Sequence, residues 1–227
     1  MNKKYKKIII ATGGTGGHVF PAYNLAKHFF ENGINVELIS DKRGLKYLKN
    51  YHDIKINLIS SSTVFKKNLF KSFFSIIIIF YSLIKSFIFL LTNRPDLVFG
   101  MGGYSSFPVC IASKILKIPF IIYENNLYIG KANNYLLPFA KKIFVSRKEL
   151  EGISEKHSKK ICEIGNIIQK EIINFQENSN INVNDKGLKI LILGGSQAAK
   201  IFAEIFPKIF EKCIKNHISL EIFQQCL

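Results

Sequence analysis

Three glycine-rich runs carry the residues best suited to chemistry in this chain: Gly13-Gly14-Thr15-Gly16-Gly17-His18, Gly100-Met101-Gly102-Gly103-Tyr104-Ser105-Ser106, and Gly194-Gly195-Ser196-Gln197-Ala198. Each follows an apolar stretch and precedes a helical one. Glycine lets the backbone come close to a ligand, and the unpaired N–H groups at a helix start attract anions. Three such loops suit a phosphate-rich ligand, although any one of them alone reads equally well as a tight strand-to-helix turn. They are not the commoner phosphate motifs. No Lys-Ser or Lys-Thr pair follows the first loop, and Val19 stands where a G-x-G-x-x-G match needs its last glycine. His18 opens the helix after the first loop, where the positive end of the helix dipole disfavours imidazolium. A neutral ring there can take a proton from a hydroxyl. The plainer alternative is a capping or packing histidine.

The elements that must hold these loops are legible as a repeating pattern. Short apolar runs read as buried strands at Lys7 to Ala11, Val36 to Ser40, Ile54 to Ile59, Asp96 to Phe99, Phe120 to Tyr123, Lys142 to Val145, Lys160 to Ile164, Lys189 to Leu193 and Leu220 to Phe223. Helical stretches lie between several of them, at Pro21 to Asn32, Ser105 to Leu116 and Gln197 to Lys215. Alternation of this kind indicates βαβ units and a parallel sheet covered on both faces, so the class is α/β. The polar segment 167–186, with Gln176, Glu177, Asn178 and their neighbours, is the expected linker. It separates a first domain over 1–166 from 187–227. The latter is a strand, a glycine turn, a helix and a second strand, and is expected to be an incomplete second domain.

Charge and hydropathy narrow the partners. The 227 residues carry 32 Lys+Arg against 16 Asp+Glu, and 48% of them are hydrophobic, which excludes a disordered basic tail. Residues 1–148 hold 22 of the bases and 6 of the acids, while 149–227 hold 10 of each. A one-sided positive field draws nucleic acid, anionic membrane or phosphorylated substrates, and with no recognisable nucleic-acid motif the first of these falls away. Cys110, Cys162, Cys213 and Cys226 form no C-x-x-C pair, which argues against a zinc site or a disulfide scaffold. No metal or cofactor is expected, and a reducing cytoplasm is the simplest compartment. The N-terminal apolar run is too short for a signal peptide. Phe73 to Leu91 contains one charge, Lys85, and is long enough to cross a bilayer. A crossing would place the loops near Gly14 and Gly102 on opposite sides. A helix that is buried, or peripheral with its outer face on lipid, is therefore expected instead.

The run Ala11-Thr12-Gly13-Gly14-Thr15-Gly16-Gly17-His18-Val19-Phe20-Pro21-Ala22 resembles the N-terminal signature of the MurG family, the N-acetylglucosaminyltransferases of bacterial peptidoglycan synthesis. The resemblance continues through Gly100 to Pro108, Tyr123-Glu124-Asn125-Asn126 (against the family's H-E-Q-N), Gly165-Asn166 and Gly194 to Gln197. It implies a GT-B fold of two Rossmann-like domains. It also implies inverting transfer of GlcNAc from UDP-GlcNAc to lipid I, undecaprenyl-diphosphoryl-MurNAc-pentapeptide, to give lipid II. On that reading His18 is the base or orienting group. Thr15, Gly16, Gly17, Asn126 and Ser196 correspond to donor-binding positions, and Gly14 and Gly103 belong to the loops expected to hold the acceptor's diphosphate. Tyr104 and Glu124 line the cleft. The basic, apolar stretch from Lys66 to Arg94 would lie on the cytoplasmic face of the inner membrane as a peripheral contact. Two departures stand out. Gln169 occupies the place of a family arginine that contacts the donor, and cannot supply its charge. The chain ends at Gln224-Gln225-Cys226-Leu227, where the family continues. A C-terminally truncated enzyme is expected, with two alternatives: a non-catalytic remnant that binds membrane and lipid I, or one half of a split enzyme partnered by a separate C-terminal half.

Overall fold

The computed structural model describes residues 5–60, 69–175, 188–194 and 198–225. They fall into two units, Met1–Ile173 and Asn174–Leu227. The first is built on a seven-stranded parallel sheet: β1 (Lys7–Ala11), β2 (Asn35–Ser40), β3 (Lys55–Leu58), β4 (Leu97–Gly100), β5 (Phe120–Glu124), β6 (Lys142–Val145) and β7 (Ile161–Glu163). Their order across the sheet is β3-β2-β1-β4-β5-β6-β7. The direction of winding therefore reverses between β1 and β4, and in open parallel sheets the crevice at such a reversal, outside the carboxyl ends of the strands, is where ligands bind. The first two glycine loops follow β1 and β4.

Side-chain alternation along β1 sorts the core into two layers. Ile8 and Ile10 face α1 (Gly16–Glu31) and pack with Val19, Ala22, Tyr23 and Ala26, alongside Val36 and Leu38 of β2. Ile9 and Ala11 point the other way, into a layer with Val109, Ala112 and Phe120. That second layer is covered by α3 (Leu69–Asn93), α4 (Ser106–Ile115) and α5 (Lys131–Leu136). Three shorter pieces went unread in the sequence because they span too few residues to show periodicity: α2 (Lys42–Leu45), α5, and a 3-10 turn at Glu155–Lys160. A fourth, α6 (Lys170–Phe175), lies inside the polar segment expected to be a linker. Ion pairs of Lys170 with Glu31 and of Glu171 with Lys27 fasten it to the end of α1.

The sequence pattern shows a helical stretch from Pro21 to Asn32. The helix begins five residues earlier, at Gly16. Proline has no N–H for the carbonyl four residues before it, so the Gly17 carbonyl is left without its helical partner, and the Asn125 side-chain amide donates to it at 3.1 Å. A residue from the end of β5 thus repairs the helix that carries His18.

α3 has its small polar residues inside and its large apolar residues outside. Ser75, Ser82 and Ser86 are buried with Leu90, whereas Ile76, Ile77, Phe80, Tyr81, Ile84 and Ile88 are exposed. The buried hydroxyls are satisfied: Ser82 donates to the Ser60 carbonyl at 2.6 Å, and Ser86 to the Ser82 carbonyl at 2.7 Å. Apolar enough by composition to cross a membrane, α3 is nevertheless tied at one end to β3 and at the other to β4, two strands of one sheet. In this fold it is a crossover helix.

The second unit contains β8 (Leu188–Ile192), α7 (Ala198–Lys215) and β9 (Leu220–Gln224), with β8 and β9 paired in parallel from Leu188↔Leu220 to Ile192↔Gln224. Leu188 and Leu191 on β8, Leu193 just beyond it, Phe223 on β9, and Ile201, Ile205 and Ile209 on the helix are exposed.

Candidate active site

The first two glycine loops interlock above the reversal between β1 and β4. Gly103 has φ +76°, and a Cβ built on it would stand 2.5 Å from the Gly13 carbonyl oxygen. Glycine is therefore required there both by backbone conformation and by space. Ser105 holds the second loop to the first by donating to the Thr12 carbonyl at 2.8 Å, and Thr12 Oγ1 donates to the His18 carbonyl at 2.9 Å. The first loop is also held from below. Asp41, buried at the end of β2, accepts from the N–H of Gly14 at 3.1 Å and of Gly44 at 2.8 Å, and Arg43 binds the same carboxylate at 3.0 Å. Sequence reasoning missed Asp41, which lies 27 residues from the glycine it fixes.

His18, in the first turn of α1, packs its ring over Gly102, where an added Cβ would stand 2.8 Å from the imidazole. Burial holds the His18 pKa below its ordinary value, against the opposing pull of the Glu124 charge and a hydrogen bond to the Met101 backbone. The direction is the expected one, but its principal cause is removal from water rather than the helix end. The neutral ring is the form able to accept a proton near pH 7.

His18 shares a groove of about 320 Å³ with Gly103, Tyr104, Glu124, Asn126 and Asn133. Glu124 is the organiser of this wall. Fully buried at the end of β5, it accepts from the backbone and side chain of Asn126 at 3.1 and 2.7 Å, from the Gly130 N–H at 2.8 Å, and from Asn133 at 3.0 Å. A carboxylate with four donors is spent on positioning. It fixes Asn126 and caps the start of α5. Asn133, on α5 and absent from the sequence reading, donates also to the Tyr123 carbonyl at 3.0 Å, and its buried Oδ1 has no partner among the described residues. A lone asparagine in a polar stretch gives no signal of this kind.

The structure brings together Gly14, Thr15, Gly16, Gly17, His18, Gly103, Tyr104, Glu124 and Asn126 around the β1/β4 reversal. Gln169 is not among them: it lines a separate groove of about 560 Å³ with Tyr23, Lys27, His28 and Tyr51. Ser196, Lys66 and Lys67 lie outside the described residues. Among the described residues, no group of three or more His, Cys, Asp or Glu is placed to hold a metal ion.

A parallel sheet reversed at β1/β4, with glycine loops and a low-pKa histidine gathered over the reversal, defines a Rossmann-like domain of the GT-B kind. Residues 8–145 match the glycosyltransferase family 28 N-terminal domain, and the chain belongs to that family. A UDP-N-acetylglucosamine–N-acetylmuramyl-(pentapeptide) pyrophosphoryl-undecaprenol N-acetylglucosamine transferase of Francisella tularensis is 35% identical over 99% of this chain and 62% of its own length. The transferase of the same name from Rickettsia canadensis is 37% identical over 97% of this chain and 61% of its own. The crystal structure of Acinetobacter baumannii MurG superposes with a TM-score of 0.70 at 28% identity, covering 97% of this chain and 61% of that one. The chain thus spans about three fifths of the length of these relatives.

Proposed function

We propose that this chain carries the acceptor side of a transferase that moves GlcNAc from UDP-GlcNAc to the C4 hydroxyl of lipid I, with inversion, to form lipid II. The observation that carries this reading is His18: held over Gly102 and beside the groove walled by Tyr104, Asn126 and Asn133, with burial lowering its pKa. Its ring would take the proton of the attacking hydroxyl, while the first-turn N–H groups of Gly16 and Gly17, left without helical partners, face negative charge on the substrate. Glu124 would set the angle of Asn126. The names of the 34–37% identical relatives support the same substrates.

The test is GlcNAc transfer to a lipid I analogue by the chain completed with the remaining residues of the Francisella relative. Wild type is expected to turn over, and His18→Ala to lose about 10² to 10⁴ in kcat while still binding the lipid I analogue. A completed wild-type protein that makes no lipid II overturns the reading. The 227-residue polypeptide alone is expected to bind the analogue with little transfer, since it spans about 62% of the relative's length.

We further propose that the protein sits peripherally on the cytoplasmic face of the membrane, through the exposed Ile76, Phe80, Ile84 and Ile88 of α3. Lipid facing these residues would remove their apolar surface from water. Co-sedimentation with anionic vesicles checks this, and Phe80→Ser together with Ile84→Ser is expected to abolish it.

A further inference from the structure

Pro21 is a defect in the helix that carries His18, and its repair lies on another element. A proline inside a helix supplies no N–H to the carbonyl four residues earlier and crowds that carbonyl with its ring. In α1 the carbonyl belongs to Gly17, the residue before His18. Its hydrogen bond comes instead from the Asn125 side-chain amide at 3.1 Å. Asn125 is the first residue beyond β5 and is braced from the end of β6. Ser146 donates through its N–H to the Glu124 carbonyl at 3.2 Å and through its hydroxyl to the Asn125 carbonyl at 3.3 Å. The amide is thus presented to α1 by two paired strands.

Both peptide groups that flank His18 are held from outside the helix. Asn125 ties the carbonyl before it, and Thr12 Oγ1 ties its own carbonyl at 2.9 Å. The ring is committed as well. The Met101 N–H is spent on the Ala11 carbonyl at 2.8 Å, so the bond between the imidazole and the Met101 backbone is a donation from one ring nitrogen to the Met101 carbonyl. The other ring nitrogen is then the one left to accept a proton. Resting on the base role given to His18 above, we propose that Asn125 is a positioning residue for that base. Its amide stands in for the N–H that Pro21 lacks, and the first turn of α1 so fixed keeps one imidazole nitrogen on Met101 and the other free. Without it the turn loosens and water reaches the ring. The charged and titratable groups around the ring, Glu124, Tyr104 and Lys131 of the shared groove, are unaltered by that change, so removal of burial alone raises the His18 pKa.

The experiment pairs the two residues. The His18 pKa is read from its imidazole resonances by NMR in the 227-residue chain, and kcat and KM are measured in the chain completed with the remaining residues of the Francisella relative. Asn125→Ala is expected to raise the His18 pKa toward the ordinary 6.5. In the completed protein it should lower kcat by about 10- to 100-fold with KM for UDP-GlcNAc unchanged. Pro21→Ala gives the Gly17 carbonyl a helical N–H again, so P21A/N125A is expected to return the pKa and kcat to those of Pro21→Ala alone. A merely structural role for Asn125 would change stability without a change of His18 pKa that depends on residue 21. An Asn125→Ala protein with the wild-type His18 pKa overturns the proposal, and so does a double variant that keeps the raised pKa. Where circular dichroism shows Asn125→Ala unfolded, the double variant is compared with Pro21→Ala directly, and a difference between their His18 pKa values overturns it. A completed wild type that makes no lipid II overturns the functional reading instead, since the pKa comparison does not depend on transfer.

Discussion

Gly103 shows what a single residue position can demand. Its positive φ and the Gly13 carbonyl 2.5 Å from any Cβ mean that Gly103→Ala must shift two loops at once. We expect it to cost about 1–3 kcal/mol in urea denaturation and to disturb His18. Gly33 is also in the left-handed region but has nothing within 4 Å of an added Cβ, so Gly33→Asn should cost much less. His18 predicts a pH signature. With its folded pKa depressed, the base form prevails at neutral pH, and kcat should fall as pH drops through a value below the ordinary 6.5. The glycine runs and His18 were legible as residues because their spacing is local. Asp41, Asn133 and the Asn125 contact to Gly17 were not, because each acts across the fold on a partner distant in sequence.

At the scale of elements, all nine strands among the described residues were readable, since parallel strands are near-continuous apolar runs bounded by turns. Helix ends were less so. The start of α1 was displaced by Pro21, whose cost is offset by a side chain that no local rule reveals. α3 illustrates a pattern in which composition and burial disagree. Its apolar count announced a helix, but only packing shows that the serines face inward. The two faces should therefore answer differently to mutation. Ser86→Leu forces extra methylenes into the buried inner face of α3 and should destabilise by about 1–3 kcal/mol. Ile84→Ser, on the exposed face, should change stability within about 0.5 kcal/mol. Thermal denaturation of both variants checks the contrast.

For the first unit as a whole, acid should act in two steps of the same sign. His18 is kept neutral by the fold, so the unfolded chain binds more protons below pH of about 6.5 and stability falls with pH from there. Glu37 is buried on the sheet between Lys7 and Lys55, each at 3.1 Å, with Asn57 donating to it at 2.8 Å. Despite the opposing effect of burial, these partners hold its pKa below the usual carboxylate range. The stability it contributes is present above that range and lost as pH falls through it. In urea denaturation, His18→Gln should remove the first step, and Glu37→Ala should cost about 1.5–3 kcal/mol at pH 7. The sheet order also has a consequence in time. β1 pairs with β2 soon after both are made, but its other neighbour, β4, is synthesised only after the 25 residues of α3, and α4, which packs on α3, later still. During translation the most apolar helix of the protein thus precedes every strand and helix that will anchor its far end. A bilayer surface nearby is then a place for α3 to wait during folding, and cell-free synthesis with anionic vesicles should yield less aggregate than synthesis without them.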